Sequence, residues 1–310
     1  MRISTSQMQQ RAVDRMLEQQ TKLSYTQQQV ATGKRILTPA DDPSAAARAM
    51  GLEREISVTQ QYQTNADLAN DRQIREEDVL ASVTNLLQRV SELTVQGNND
   101  TNSAEDRHAI ATELQQRLDE LLGLANTRDA NGEYLFSGFQ GNTQPFSHEG
   151  DGTFTYNGDQ GQRFLNIGPS VQVAMTDSGS EVFQRVQVGS GVQDVFTTVN
   201  KLADTFAEAA DDPASRNDLH TNVDSGLEAL DAALQHILQV RTRVGARLNT
   251  VESQKDYNDA YLLTAQSTLS GVQDLDYAEA VSRLQLQLTG LQAAQQAYLK
   301  IQGLSLFNYF

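Results

Sequence analysis

Cysteine and tryptophan are absent from the 310 residues, and proline occurs only five times. The lack of thiols excludes disulfide scaffolds, thiolate zinc sites, iron-sulfur clusters and cysteine nucleophiles, and it fits a protein that works in an oxidising place. No stretch approaches the roughly 20 apolar residues of a membrane span, so membrane insertion is not expected. The opening MRISTSQMQQ has no apolar h-region, so a cleaved secretory signal is not expected either. Basic groups are in deficit: 24 Lys and Arg face 40 Asp and Glu, for a net charge of −16, which argues against nucleic acid and anionic membranes as partners. So few prolines leave room for long, uninterrupted helices.

The charge is unevenly spread. Residues 1–37 carry +4, residues 277–310 carry +1 on only three charged groups (Glu279, Arg283, Lys300), and the remainder carries −21. A C-terminal helix with so little charge has no continuous polar face and calls for burial against something.

Hydrophobic spacing supplies the architecture. Stepping 4, 3, 4, 3 from Val223 to Val272, twelve of fifteen positions are apolar; Arg241, Lys255 and Asn258 are the exceptions. That is a coiled-coil-like helix, with Arg241 snorkelling from the seam and the Lys255/Asn258 region a weak point or register change. The period resumes at Tyr277 through Val281, Leu284, Leu288, Leu291 and Tyr298, with a second track of Leu286, Ala293, Ala297, Ile301 and Leu304. Near the N-terminus, Val13, Met16, Gln20, Leu23, Gln27 and Val30 form a seam with two glutamines. In TPADDPSAA, Asp42 suits an N-cap and Pro43 the first helical position, so a helix is predicted from there to about Gln96. A shorter helix follows the GNNDTNS loop, with Ile110, Leu114, Leu118, Leu121 and Ala125 inward. Between Phe139 and Gly189, glycines punctuate the short runs TFTY, RFLNI, VQVAM and EVFQRVQV, a small antiparallel β insert. Helical spacing returns at Val192 through Phe206.

The fold expected is mainly α: an elongated helical hairpin or coiled-coil rod with a β insert domain at the far end. Its parts are an axial domain (1–40 with 273–310), a long-helix rod (41–138 with 190–272) and the insert (139–189).

Four segments carry a resemblance: RIST at 2–5, ATGKRILTPADDPSAA at 31–46, LQRVSELTVQ at 87–96 and DLDYAEAVSRLQLQ at 274–287. In that order they resemble the bacterial flagellin family. Within it, NGEYLFSG at 131–138 and GLSLFNYF at 303–310 resemble the members that join hook to filament more than flagellin itself. The resemblance implies an extracellular structural component of the flagellum, needed for filament assembly and motility. It would be exported unfolded through the flagellar type III apparatus, with a chaperone on the C-terminal helix. Its partners would be further copies of itself in a helical layer, hook-associated protein 1 and flagellin. Terminal helices unable to bury their apolar faces alone would order only on assembly.

The expected assembly surface comprises Ile3, Val13, Met16, Leu23, Val30, Val281, Leu284, Leu288, Leu291, Ala297, Tyr298, Ile301, Leu304, Leu306 and Phe307, with Asp41, Asp42 and Pro43 as the helix-start turn. An intramolecular core is the alternative for the C-terminal stripe. Asp41 and Asp42 lack the spacing of a calcium loop. By resemblance to the flagellin surface read by an animal Toll-like receptor, Arg89, Leu93 and Glu113 form a receptor-like patch, although Ser91 stands where many flagellins have arginine; contacts between subunits are the preferred reading of these residues. A short flagellin forming the filament is the runner-up. From another class, the insert could be a carbohydrate-binding module using Phe146, Phe154, Tyr156 and Phe164, though such aromatics more often form a small sheet's core. No catalytic site, cofactor or metal is expected: His108, His148, His220 and His236 are scattered, and no P-loop or nucleophile elbow is present.

Overall fold

The structure, a computed structural model, describes residues 5–150, 152–208 and 213–303. Its elements run α1 (Thr5–Thr32), α2 (Pro43–Gly97), α3 (Ala104–Ala125), β1 (Phe146–Glu149), β2 (Thr153–Tyr156), β3 (Phe164–Asn166), β4 (Gln172–Ala174), a π-helical turn (Ser180–Gln184), β5 (Val186–Val188), β6 (Gly191–Gln193), α4 (Val195–Glu208), α5 (Pro213–Gln273) and α6 (Tyr277–Gly303). The chain is thus mainly helical with small antiparallel sheets. The described residues fall into two compact units, one made by both chain ends (up to Thr59 and from Ala260) and one spanning Gln60–Asp259.

The Gln60–Asp259 unit is built on the expected heptads. Along α5, Val223, Leu230, Ile237, Val244 and Val251 are buried, and Leu227, Leu234 and Leu248 are half-buried. They meet Leu80, Val83, Leu87, Val90 and Leu93 of α2 in one core, together with the inner face of α3. Ser103 and Asp106 close a reciprocal capping box at the start of α3. The seam exceptions are satisfied in place. Arg241 Nη2 meets Glu77 at 2.6 Å and Lys255 Nζ meets Asp67 at 2.6 Å. Asn258, fully enclosed, donates from Nδ2 to the Ile167 carbonyl at 3.0 Å. Within this unit both polar seam positions are thus partnered, the asparagine holding the segment that leaves β3.

Among the described residues the insert comprises three separate two-stranded antiparallel hairpins, β1–β2, β3–β4 and β5–β6, not one sheet. EVFQRVQV is strand only in its second half. Val182 and Phe183 are adjacent and both buried, which a pleated strand facing one core does not allow, and the wide turn of Ser180–Gln184 accommodates them. Phe183 meets Phe136 edge-on at 5.3 Å and Phe146 at 5.5 Å. Val192, expected to open a helix, is an exposed strand residue, and α4 starts at Val195 because the Asp194 carboxylate accepts from the Thr197 amide at 2.6 Å.

One buried ion cluster fastens the loop before the insert. Arg72 on α2, nearly enclosed, donates to Asp129 at 2.6 Å and to Glu133 at 2.7 Å, and Glu133 also pairs with Arg163 at 2.9 Å. Removing the guanidinium strands a buried carboxylate. Arg72→Met is expected to lower the unfolding free energy by about 3–5 kcal/mol, read from urea titration.

Candidate assembly surface

The unit formed by the chain ends packs α1 against α6. Backbone bonds lock the register just past α1: Arg35 N donates to Gln273 O at 2.8 Å and Leu275 N to Gly33 O at 2.9 Å. The Arg35 guanidinium adds a bond to Val272 O at 2.9 Å. Gly33 ends α1 with φ 71°, and a Cβ there would lie 2.8 Å from the Tyr277 hydroxyl. Only glycine combines that left-handed backbone with so close an approach.

The helix-start turn lies next along the chain. Asp41 accepts from the amides of Thr38 at 2.7 Å and Leu37 at 3.1 Å, while Asp42 accepts from the Ala45 amide at 3.0 Å and the Ser44 hydroxyl at 2.9 Å, with α2 beginning at Pro43. Both carboxyls are held below their usual range, Asp41 first by the Thr38 amide and Asp42 first by the Ala45 amide. Their folded pKa values are depressed, so their contribution is present above the ordinary carboxylate range and is lost as pH falls through the folded values. Beneath the turn, Ile36, Ala45 and Ala46 cluster with Val272.

Along α1, Leu23 is buried and Val13, Met16 and Val30 are half-buried. The glutamines of the expected seam, Gln20 and Gln27, face out; the buried polar positions are Thr26 and Gln29 instead. Thr26 turns its hydroxyl back to the Lys22 carbonyl at 3.0 Å, and Gln29 donates to the Arg35 carbonyl at 2.6 Å. Sequence spacing missed both, since neither residue type signals burial.

On α6 the sheltered positions include Ala280, Leu284, Gln287, Leu291, Ala294 and Tyr298. Leu284, Leu291 and Tyr298 thus share one row. Val281, Leu288 and Ala297 do not; they are exposed, as are Leu299 and Leu286, the last at 77 %. At 100° per residue, Leu286 and Ala293 point away from Leu284. The intramolecular pairing therefore uses only part of the helix's apolar circumference. Ile301 lies within α6 but its side chain is outside the described set; Ile3, Leu304, Leu306 and Phe307 lie outside the described residues.

Of the three receptor-like residues, the fold brings Arg89 and Glu113 together at the surface and places Leu93 inside. Leu93 is 1 % exposed in the core, and Arg89 is engaged with Glu113 at 3.1 Å and Glu92 at 3.1 Å. Arg89 and Glu113 thus form a surface ion pair, with Leu93 in the core beneath the same helix. Of the four aromatics offered as a platform, Phe146 and Phe154 are buried against Phe196, the first tilted and the second stacked, and Phe164 alone is well exposed. Among the described residues no group of three or more His, Cys, Asp or Glu is placed to hold a metal.

Residues 3–141 match the bacterial flagellin N-terminal helical region and residues 227–310 the flagellin C-terminal helical region. The chain is 30 % identical to the flagellar hook-associated protein 3 of Escherichia coli K12 over 317 aligned positions, covering 99 % of each. A Salmonella naestved phase 1 flagellin is 35 % identical over 118 positions, covering 38 % of this chain and 23 % of the flagellin. In fold the chain is similar to the flagellar junction protein FlgL of Legionella pneumophila, with a TM-score of 0.64 and 24 % identity, covering 73 % of this chain and 100 % of that one.

Gly33→Ala is expected to cost roughly 1–2 kcal/mol for the left-handed backbone alone. It should also speed amide exchange at Arg35 and Leu275, whose bonds hold the register, and exchange in α3 should be unchanged.

Matching at both ends and aligning over its whole length with a hook-associated protein 3, the chain belongs to the bacterial flagellin family.

Proposed function

We propose that this chain forms the junction layer of the bacterial flagellum, between hook-associated protein 1 and the flagellin filament, and is needed for filament assembly and motility. The observation that carries the reading is the full-length likeness to a hook-associated protein 3, set against a flagellin likeness restricted to part of the chain. That contrast favours a junction protein over a short flagellin. The physical complement is α6, whose Val281, Leu286, Leu288 and Leu299 stay exposed after α1 has packed on it.

An apolar surface of that kind is stabilised by burial against another chain, at about 25 cal/mol per Å² removed from water. Copies packing head to tail bury it through a heterologous contact, which propagates into a helical layer. The same surface is a hazard for a free subunit, and it is the natural seat of an export chaperone before extracellular assembly through the type III route.

Leu286→Glu tests the reading. The thermal midpoint of the isolated subunit is expected to change by less than about 2 °C, because substitutions at exposed sites contribute within about 0.5 kcal/mol. In cells lacking their own junction protein, the variant should fail to restore filaments and swimming where the parent chain succeeds. Full motility with the variant would remove this face from the assembly. Failure of the parent chain to retain filaments on hooks would remove the junction role itself.

A further inference from the structure

The strongest unassigned feature is a buried charge cluster in the Gln60–Asp259 unit, distinct from the Arg72 cluster. Glu76 on α2 is fully enclosed and Asp177, in the segment leaving β4, is 1 % exposed. The Asp177 amide donates to Glu76 Oε1 at 2.9 Å. Asp177 Oδ1 accepts from Arg247 Nη2 on α5 at 2.8 Å and from Gln162 at 2.6 Å. Beside them, Gln73 donates to the Ala174 carbonyl at 2.6 Å. Three elements thus converge: α2, the strand exit 174–177 and α5.

The charges do not cancel. Two carboxylates face one close guanidinium, Arg247; the second arginine nearby, Arg243, is half-exposed and spends its charge on Glu181 at 3.7 Å. Next along α2, Glu77 is already paired with Arg241. Glu76 Oε2, Asp177 Oδ2 and Arg247 Nη1 are each buried without a hydrogen-bond partner among the described residues. A net negative charge enclosed by protein costs several kcal/mol. One proton held by the carboxyl pair brings the cluster to neutrality and supplies a donor for an orphaned oxygen.

We propose that Glu76, Asp177 and Arg247 form a one-proton latch that fastens the segment after β4 to helices α2 and α5 and loosens as the surrounding medium becomes alkaline. Burial first, and Asp177 second, push the Glu76 carboxyl up to about 8. Its folded value therefore lies above its unfolded one. The stabilisation is complete below the unfolded value near 4.5 and is lost progressively as pH rises to about 8, beyond which no more is lost. The consequence is local, because the latch holds one segment while the apolar core of α3, α4 and α5 does not titrate.

Amide hydrogen exchange on the full chain tests this, with rates corrected for the intrinsic effect of pH. In the parent, the opening constant of the peptide 172–182 should rise by up to about tenfold per pH unit between about pH 5 and pH 8 and then level off. Peptide 230–244 of α5 should show no such slope. Glu76→Gln, neutral at every pH and shaped like the protonated acid, should flatten the dependence at 172–182. Asp177→Asn leaves Glu76 balanced by Arg247 and should reduce the slope from the other side. A parent without pH dependence at 172–182, the same slope in both variants, or an equal slope at 230–244 would each overturn the latch.

Discussion

The apolar row along α5 is the constraint on which most of the buried core depends. The helix runs 61 residues, and its row contributes Val223 through Val244 to the large core, Val251 to the small cluster beneath β3–β4 and Val272 to the cluster under the helix-start turn. A helix of that length is not held by propensity; it is held by what packs on it. Polar residues interrupt the row only where a partner is supplied, as with Arg241 and Glu77, Lys255 and Asp67, and Asn258 with the Ile167 carbonyl. Close approach of α4 depends on Gly226, where a Cβ would fall 2.4 Å from Leu202.

Along the chain the character of packing changes. Between Gln60 and Asp259 a large apolar core encloses Leu, Val, Ile and Phe side chains, with buried polar and charged groups such as Arg72, Glu76 and Asp177 beside it. Between the two terminal helices Leu23 is enclosed among Thr26, Gln29 and Ala280, while Leu286, Leu288 and Leu299 of α6 face out. The first pattern belongs to a unit that is finished on folding. The second leaves much of the apolar surface of α6 uncovered within the single chain.

Much of this was legible in the order of residues. The α5 seam, the inner face of α3, and the start of α2 at Pro43 follow from heptad spacing and capping chemistry, both of which act within a few residues of the chain. Illegible were features set by contacts distant in sequence. The π-helical turn at Ser180–Gln184 looks like strand until Phe136 and Phe146 claim Phe183. Glu76 is one of 40 acidic residues, and only the arrival of Asp177, 101 positions later, makes its burial and its proton consequential.

The sequence by itself determined the helical periodicity and the absence of thiol chemistry, since spacing and composition are properties of the chain alone, and its motifs carried the resemblance to the family. Tertiary structure alone decided which face of each helix is used. Val281 and Leu284 are both apolar and three positions apart, yet Leu284 is sheltered and Val281 is exposed. Burial is a relation between surfaces, and the pairing of α1 with α6 covers only one of the faces that the residues of α6 make available.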